Sequence, residues 1–529
     1  MNSTLFQLAP QGVLVAVLGF LFSAVTAAIV CRLATRWGLV DQPDGRRKTH
    51  PRPTPLGGGV AVLTGTLLCL LVVYSFRGPS VIGEVVEDLS LLPLLAASLW
   101  IVILGLVDDW RKLRGRHKLL GQLLAAGILV SLGFYFNRIN LFGWTFDLGI
   151  LAVPFVVFWF VGAINSVNLL DGADGFAGTI GLIMTVGLAA MAAGAGRLEV
   201  ALVACAFAGA LAGFLVFNLP PAKMFLGDAG SMLIGLVIGA LSIKASLKGA
   251  GTLLLAAPLA LWAIPIIDSL AAILRRTLTG RSIYSTDRAH IHHRILERLG
   301  SNYLLLFVTG GIAIICAAGA LGSVMWSNDW IAVLAVACVV AILVAGDLFG
   351  RGELYLLFRV MRRLLLAALG QKPAHPHHED VAVHIQGQVD WESVWDEIRA
   401  ELIPLGLERL RLDVNIPSVG ESFHARWPEA SSEDGENQNC RFQLSVPLFV
   451  GGQEVGALCC EGRRRGDGDG QVAAHLFQYA KVLERRIGDE LEKVRPIKSR
   501  NDFAKVGSTV CKGGLGATST AHVSRKFPR

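Results

Sequence analysis

Charge is scarce in this chain. Asp, Glu, Lys and Arg make up 17% of its 529 residues, hydrophobic residues 53%, and the mean hydropathy is +0.54. That balance excludes an ordinary soluble domain and leaves apolar runs long enough to span a bilayer. The nine cysteines form no Cys-x-x-Cys pair, which argues against both a zinc site and a secreted disulfide frame. His-Glu-x-x-His is missing, so the corresponding zinc-hydrolase chemistry is excluded. Gly-Lys-Ser/Thr is missing too, and with it a P-loop. The first apolar run, about Val13 to Val30, has no basic residue before it and no clear cleavage site. More such runs follow, so it reads as a retained helix rather than a signal peptide. The net charge of +7 would suit a nucleic-acid partner. The basic residues gather instead in loops between apolar segments, which is the signal of membrane topology, and no nucleic acid is expected.

What is present is an all-α polytopic membrane bundle of about eleven transmembrane helices, with a C-terminal soluble α+β domain. The spans are placed near 12–34, 56–76, 91–107, 119–136, 150–165, 176–194, 198–218, 230–246, 252–274, 303–325 and 329–347. Loops 36–55, 108–118 and 275–302 are rich in Arg and Lys, and the alternate loops are poor in them. The positive-inside rule then predicts an outside N-terminus, with the rich loops and the C-terminus in the cytoplasm of a cell inner membrane. Four domains are expected: a transmembrane domain over 1–350, a linker over 351–379, a cytosolic domain over 380–495 and a disordered basic tail over 496–529. In the cytosolic part, Trp391 to Leu405 has helical spacing. Arg441 to Val450 and Val455 to Cys460 flank Gly451-Gly452 as a hairpin. Ala473 to Val494 is amphipathic, with Leu476, Phe477, Ala480, Leu483, Ile487 and Leu491 on its apolar side.

Four polar clusters interrupt the apolar stretches, and carboxylates near lipid are a functional hypothesis by default. Asp108-Asp109 ends a span and meets a basic loop. It reads either as two interfacial acids paired with Arg111 and Arg114, or as mutually repelling acids holding a cation. Asn165, Asn168, Asp171 and Asp174 recur every third residue and would share one broad face of a helix. They supply oxygen ligands of the kind Mg²⁺ takes, beside amides that can bond a base or ribose; the bland alternative is a helix cap and turn. Asp228, in Phe225-Leu-Gly-Asp228, either caps the following helix or completes a metal site. His290, His292 and His293 lie between Arg288 and Arg294, with His290 and His293 on one helical side and His292 pointing elsewhere. This cluster reads as a phosphate site or as a basic loop facing anionic headgroups. Lys48 and His50 precede a Gly-rich turn that could hold an anion at a helix start. Lys118 is either a further cation on this face or a snorkelling lysine.

These clusters, in this order over about residues 12–347, resemble the polyprenyl-phosphate N-acetylhexosamine-1-phosphate transferase family. The resemblance rests on Asp108-Asp109, Asn168-Leu-Leu-Asp171-Gly-Ala-Asp174-Gly175, Phe225-Leu-Gly-Asp228 and His290-Ile-His292-His293. It implies transfer of a sugar 1-phosphate from a UDP-N-acetylhexosamine to undecaprenyl phosphate, with release of UMP and with Mg²⁺, or Mn²⁺ in its place. By that resemblance Asp228 and Asp171 would hold the metal, and Asp108 or Asp109 would serve the lipid phosphate as base or by positioning it. Asn168, Asp174 and Phe225 would seat the uridine, and the three histidines with Arg288 would contact the sugar phosphate. Ile291 breaks the histidine run, which is similar to the branch using UDP-N-acetylglucosamine for surface polysaccharide. The peptidoglycan-precursor branch, with phospho-MurNAc-pentapeptide, is the alternative. A homodimer is left open, as is a cytosolic ligand or protein at the C-terminal domain, whose hairpin resembles a GAF-type fold. Readings of another class are a transporter or a membrane-tethered sensor; the acids at span ends beside basic loops favour surface catalysis over both.

Overall fold

A computed structural model describes residues 2–42, 53–77, 91–248, 252–278, 290–346, 348, 381–386, 391–405, 407–416, 421–427, 441–450, 453–463 and 469–494. The chain forms two compact units, Met1–Arg362 and Arg363–Arg529. The expected linker 351–379 and tail 496–529 lie outside the described residues.

The first unit is helical. Its elements begin with α1 (Asn2–Trp37), β1 (Val40–Asp41), β2 (Thr54–Pro55), α2 (Gly58–Arg77), α3 (Leu91–Arg111) and α4 (Gly115–Ser131). A hairpin of β3 (Arg138–Leu141) and β4 (Trp144–Asp147) leads to α5 (Ala152–Leu170), α6 (Phe176–Gly194), α7 (Leu198–Asn218) and α8 (Gly227–Ser246). Strands β5 (Leu247–Lys248) and β6 (Thr252–Leu254) precede α9 (Ala256–Leu261), α10 (Ala263–Leu278), α11 (Ile291–Leu299), α12 (Asn302–Met325) and α13 (Asp329–Ala345).

Eight of these helices are long and apolar enough to cross a membrane, counted over the described residues. Leu14, Val17, Leu21, Val25 and Ile29 form an exposed apolar stripe along α1, a face that water would penalise and lipid would cover. The chain is a multi-pass membrane protein. Three of the eleven expected spans come out shorter. Those at 119–136 and 329–347 are the 17-residue helices α4 and α13, each about 25 Å long at 1.5 Å per residue. The span at 252–274 is no single helix: it starts as strand β6 and breaks at Trp262 between α9 and α10. Pro265 explains the break, because it has no N–H to bond back to Leu261.

Helix α8 is the axis of the unit. Every residue from Ala229 to Ile243 is buried, and α3, α5, α2 and α6 pack around it. The crossings are close because glycines make them. A Cβ on Gly105 of α3 would sit 2.2 Å from Ala229 Cα, and one on Gly235 of α8 would sit 2.5 Å from the Ala163 carbonyl oxygen of α5. Close backbone approach places the C-termini of α3 and α5 beside the N-terminus of α8, and the acids lie there. At the other end, β3 pairs with both β4 and β6, and β6 with β5, in one four-stranded sheet.

The second unit is an α+β fold. An antiparallel sheet contains β7 (Val381–Gln386), β8 (Leu407–Ile416), β9 (Glu421–Trp427), β10 (Arg441–Val450) and β11 (Gln453–Arg463), in the order β10-β11-β8-β9-β7. Helices α14 (Trp391–Leu402) and α15 (Asp469–Val494) share its core, in which Trp391 stacks on Phe423 at 5.7 Å. Leu476, Ala480, Leu483 and Ile487 are buried there as the spacing predicts, but Phe477 is half exposed because the apolar stripe is narrower than the sequence suggests.

Candidate active site

The acids assemble around the start of α8. Asp109, the last acid of α3, accepts from the backbone N–H groups of Asp228 (2.9 Å) and Ala229 (3.4 Å). It therefore caps α8, satisfying donors that a helix start leaves bare. Gly227 is required at that approach: it has φ +72°, and a Cβ there would lie 2.5 Å from Asp109 Oδ2. Asp228 is in the first turn, where its charge meets the positive end of the helix dipole. The sequence left open whether Asp228 caps this helix; Asp109 supplies the cap and leaves the Asp228 carboxylate for other partners.

Those partners meet at Lys118. Its ammonium is 2.9 Å from Asp108 Oδ2, 3.1 Å from Asp228 Oδ1, and donates to Asn168 Oδ1 at 3.0 Å. Asn168 in turn donates to Asp228 Oδ1 (2.6 Å) and Ser231 Oγ (2.9 Å). A cation in the first turn of α4 opposes the helix dipole, and the two carboxylates offset that cost. Lys118 is thus paired within the acid cluster rather than snorkelling to the interface. The alternative of interfacial pairing with arginines is not what forms: Asp108 also accepts from Leu113 N at 2.7 Å, while Arg111 lies over the Trp110 ring.

The expectation of one helical face from Asn165 to Asp174 needs correction. Helix α5 ends at Leu170, Asp171 follows it with φ −75° and ψ 61°, and Asp174 lies in the turn before α6. Gly172 follows the end of α5, and the left-handed Gly175 (φ +73°) starts α6. Asn165 pairs reciprocally with Gln122, Asn168 reaches the hub, and Asp174 accepts from Ala222 N at 3.0 Å. Asp171 makes no hydrogen bond or ion pair among the described residues. Burial, then the negative charges of Asp228, Asp109 and Asp174, push its carboxyl up to about 8. A carboxylate so repelled is one that a cation would stabilise.

Phe225 is held by its main chain: it donates to the Pro55 carbonyl (2.8 Å) and accepts from Gly58 N (3.2 Å), which threads the Phe225–Asp228 segment along 55–59. Lys48, His50 and Arg288 lie outside the described residues.

The histidines form a second cluster that adjoins the acids. His290 precedes α11 in extended conformation (φ −66°, ψ 154°), so the helical angles expected for the three do not apply. All three rings are neighbours instead: His290 and His292 are 5.9 Å apart with planes 8° from parallel, and His292 and His293 are 4.2 Å apart. His292 is buried, and neither of its ring nitrogens has a partner among the described residues. Burial and the adjacent His293 push it down to about 3, so it is neutral. Its Nε2 abuts Gly172, where a Cβ would come within 2.2 Å, and this contact joins the histidines to the Asp171 turn.

Sequence reasoning missed three polar residues here. Asp268 of α10 is fully buried; its Oδ2 lies 2.9 Å from His290 Nδ1, and its Oδ1 accepts from Ile291 N at 2.8 Å. Gln122 braces Asn165. Asn218 accepts from Gly175 N at 3.2 Å and donates to the Met224 carbonyl at 2.9 Å, tying the α5–α6 turn to the α7–α8 loop. The signal was present for Asp268, since an acid inside an apolar run is the pattern that flagged the other acids.

Among the described residues, no three His, Cys, Asp or Glu groups converge into a metal site by themselves. The donors at hand, Asp228 and Asp171, are hard carboxylate oxygens. They fit Mg²⁺, which takes one or two carboxylates and completes its shell with water and substrate phosphate.

An acid-lined polar site at the ends of membrane-length helices defines an integral-membrane protein built to handle charged groups at the bilayer surface. The comparisons name its family. The model of glycosyl transferase family 4 matches residues 91–247. A Bacillus subtilis protein named as a probable undecaprenyl-phosphate N-acetylglucosaminyl 1-phosphate transferase is 30% identical over 325 residues, 60% of this chain and 87% of that relative. The decaprenyl-phosphate N-acetylglucosaminephosphotransferase of Mycolicibacterium smegmatis is 33% identical over 60% of this chain and 86% of its own. The phospho-N-acetylmuramoyl-pentapeptide-transferase of Shouchella clausii is 33% identical over 47% of this chain and 78% of its own. The chain belongs to glycosyl transferase family 4.

Proposed function

We propose that the protein transfers an N-acetylhexosamine 1-phosphate, foremost GlcNAc 1-phosphate, from its UDP-sugar to undecaprenyl phosphate and releases UMP. The observation that carries this reading is the Lys118 hub: one ammonium shared by Asp108, Asp228 and Asn168, beside Asp171, which has no partner among the described residues, at the ends of helices of the membrane bundle. The names of the relatives print a polyprenyl phosphate, undecaprenyl or decaprenyl, and transfer of an N-acetylglucosamine phosphate, which supports this kind of reaction.

In the proposed reaction an oxygen of the lipid phosphate attacks the β-phosphorus of the UDP-sugar. The bond from that phosphorus to the bridging oxygen breaks, and UMP leaves with the electron pair. Such in-line transfer needs positioning and charge neutralisation more than covalent work. Asp108 takes the remaining proton of the lipid phosphate, and Lys118 draws the phosphate in. Asp109 holds α8 in place and does not touch the substrates. Asp228 and Asp171 would hold Mg²⁺, which when bound neutralises charge on the diphosphate. Asn168, Asp174 and Phe225 line the nucleotide side, and the histidines contact the sugar phosphate. The basic residues Arg111, Lys112, Arg114, Arg116 and Lys118 flank the site, which supports a cytoplasmic active site in the inner membrane with the N-terminus outside. The C-terminal unit is proposed to bind a cytosolic ligand or protein. If its removal alters neither activity nor complex formation, that role falls.

The peptidoglycan-precursor reading is the second. It is weakened by Ile291, which interrupts the histidine run and is buried in the apolar core, where a further polar ring would be costly. The test is UMP release by the full-length protein in lipid, with undecaprenyl phosphate, Mg²⁺ and a panel of UDP-sugars. Release that needs both lipid phosphate and Mg²⁺, and that falls by roughly 10²–10³-fold in Asp228→Asn, supports the reading. No release with any sugar would sink it.

A further inference from the structure

Asp268 is a fully buried carboxylate on α10, outside the hub. Burying a charge is costly unless every lone pair finds use. Both oxygens are used on one neighbouring segment: Oδ2 meets His290 Nδ1 at 2.9 Å, and Oδ1 accepts from Ile291 N at 2.8 Å. The second contact pins the first N–H of α11, the helix that carries His292 and His293. The first fixes the His290 ring. A carboxylate that accepts from both Ile291 N and the ring would place the proton of that bond on Nδ1. His290 Nε2 then remains without a protein partner among the described residues, on a ring stacked over His292, which in turn rests on Gly172 beside Asp171.

We propose that Asp268 is a positioning residue for the transfer. It holds the proton of His290 on Nδ1, leaves Nε2 as an acceptor for an O–H or N–H donor of the UDP-sugar, and sets the start of α11 so that His292 faces the Asp171 turn. A carboxylate that orients a working histidine in this way is a recurrent arrangement, and its loss is felt through the histidine. This inference rests on the transferase reading for its consequence and on geometry for its substance, so the two fail separately.

Asp268→Asn keeps an acceptor for Ile291 N but offers His290 a donor, which moves the proton to Nε2. The expected result is a roughly 10–100-fold loss in kcat, with KM for the UDP-sugar less affected and the melting temperature near that of the unaltered protein. Because Asp268 acts through His290, Asp268→Asn combined with His290→Gln loses no more than His290→Gln alone. Losses that multiply would overturn the proposal. A second measurement needs no variant and no turnover: ¹⁵N-histidine NMR of the intact protein in nanodiscs reports which nitrogen of His290 carries the proton. Nδ1–H supports the proposal, and a bare Nδ1 refutes it. Absence of UMP release from the unaltered protein would remove the transferase reading and leave the NMR result to decide the role of Asp268.

Discussion

The acid cluster and the histidine cluster adjoin one another, yet they solve the burial of polar groups in opposite ways. Around Lys118 and α8, Asp108, Asp109, Asn168 and Asp228 are mutually bonded at 2.6–3.4 Å. On the histidine side, Asp268 grips His290, but His292 is buried with both nitrogens bare. A satisfied buried network is rigid, and an unsatisfied buried group costs free energy until something bonds it. The acid side is thus a preformed scaffold, and the histidine side keeps a buried ring whose hydrogen bonds are not yet made among the described residues.

This contrast can be broken at Lys118. Lys118→Met removes the one cation that the acids share. UMP release should fall by about a hundredfold. Mn²⁺ binding, followed by electron paramagnetic resonance, should tighten, because a positive charge 3.1 Å from Asp228 is gone. Weaker Mn²⁺ binding would show that the lysine shapes the metal ligands rather than competing with the metal. A pH series on the unaltered protein sharpens the same point. Asp171, pushed up to about 8, carries a proton below that pH, and a metal needs the carboxylate. Mn²⁺ affinity should therefore rise with pH and level off near 8, by up to about tenfold per unit below it. A flat profile from pH 6 to 8 would remove Asp171 from the metal site.

The histidine side is probed by Gly172→Ala, whose Cβ would meet His292 Nε2 at 2.2 Å. Displacing that ring should lower kcat about tenfold with little change in Mn²⁺ binding, since misplacement by an ångström is costly to chemistry. Equal losses in both would mean that the two clusters are one. The smallest effect on activity is expected from Ile291→His, which makes the histidine run unbroken over four residues, 290–293. Ile291 is buried in the apolar core, so the new ring should cost about 2 kcal/mol of stability, read by thermal melting. It should not confer use of a peptidoglycan precursor in the UMP assay.

Much of this site could be read from the sequence because acids stand out in apolar surroundings: Asp108-Asp109, Asp171 and Asp228 needed no structure to be singled out. Their division of labour was hidden. Whether Asp109 or Asp108 caps α8 depends on how α3 crosses α8, which Gly105 sets and which no local pattern reports. Asp268 escaped notice because the run around it was read as one span over 252–274. The break at Trp262 turns that run into two helices and delivers its acid to the histidines. The hairpin at 441–463 was legible from Gly451-Gly452, whereas the pairing of β8 with β11 and of β9 with β7 belongs to a sheet whose order, β10-β11-β8-β9-β7, is not the order of the chain.

The cap on α8 has one more consequence. A helix start is a natural cradle for phosphate, and this protein has one at the centre of a site proposed to bind two phosphorylated substrates. Asp109 already sits in it as a resident decoy of the substrate's own charge. Incoming phosphate is left to side-chain cations, which can let go. An enzyme of the proposed kind, which must release a lipid product, would gain from a grip of that kind.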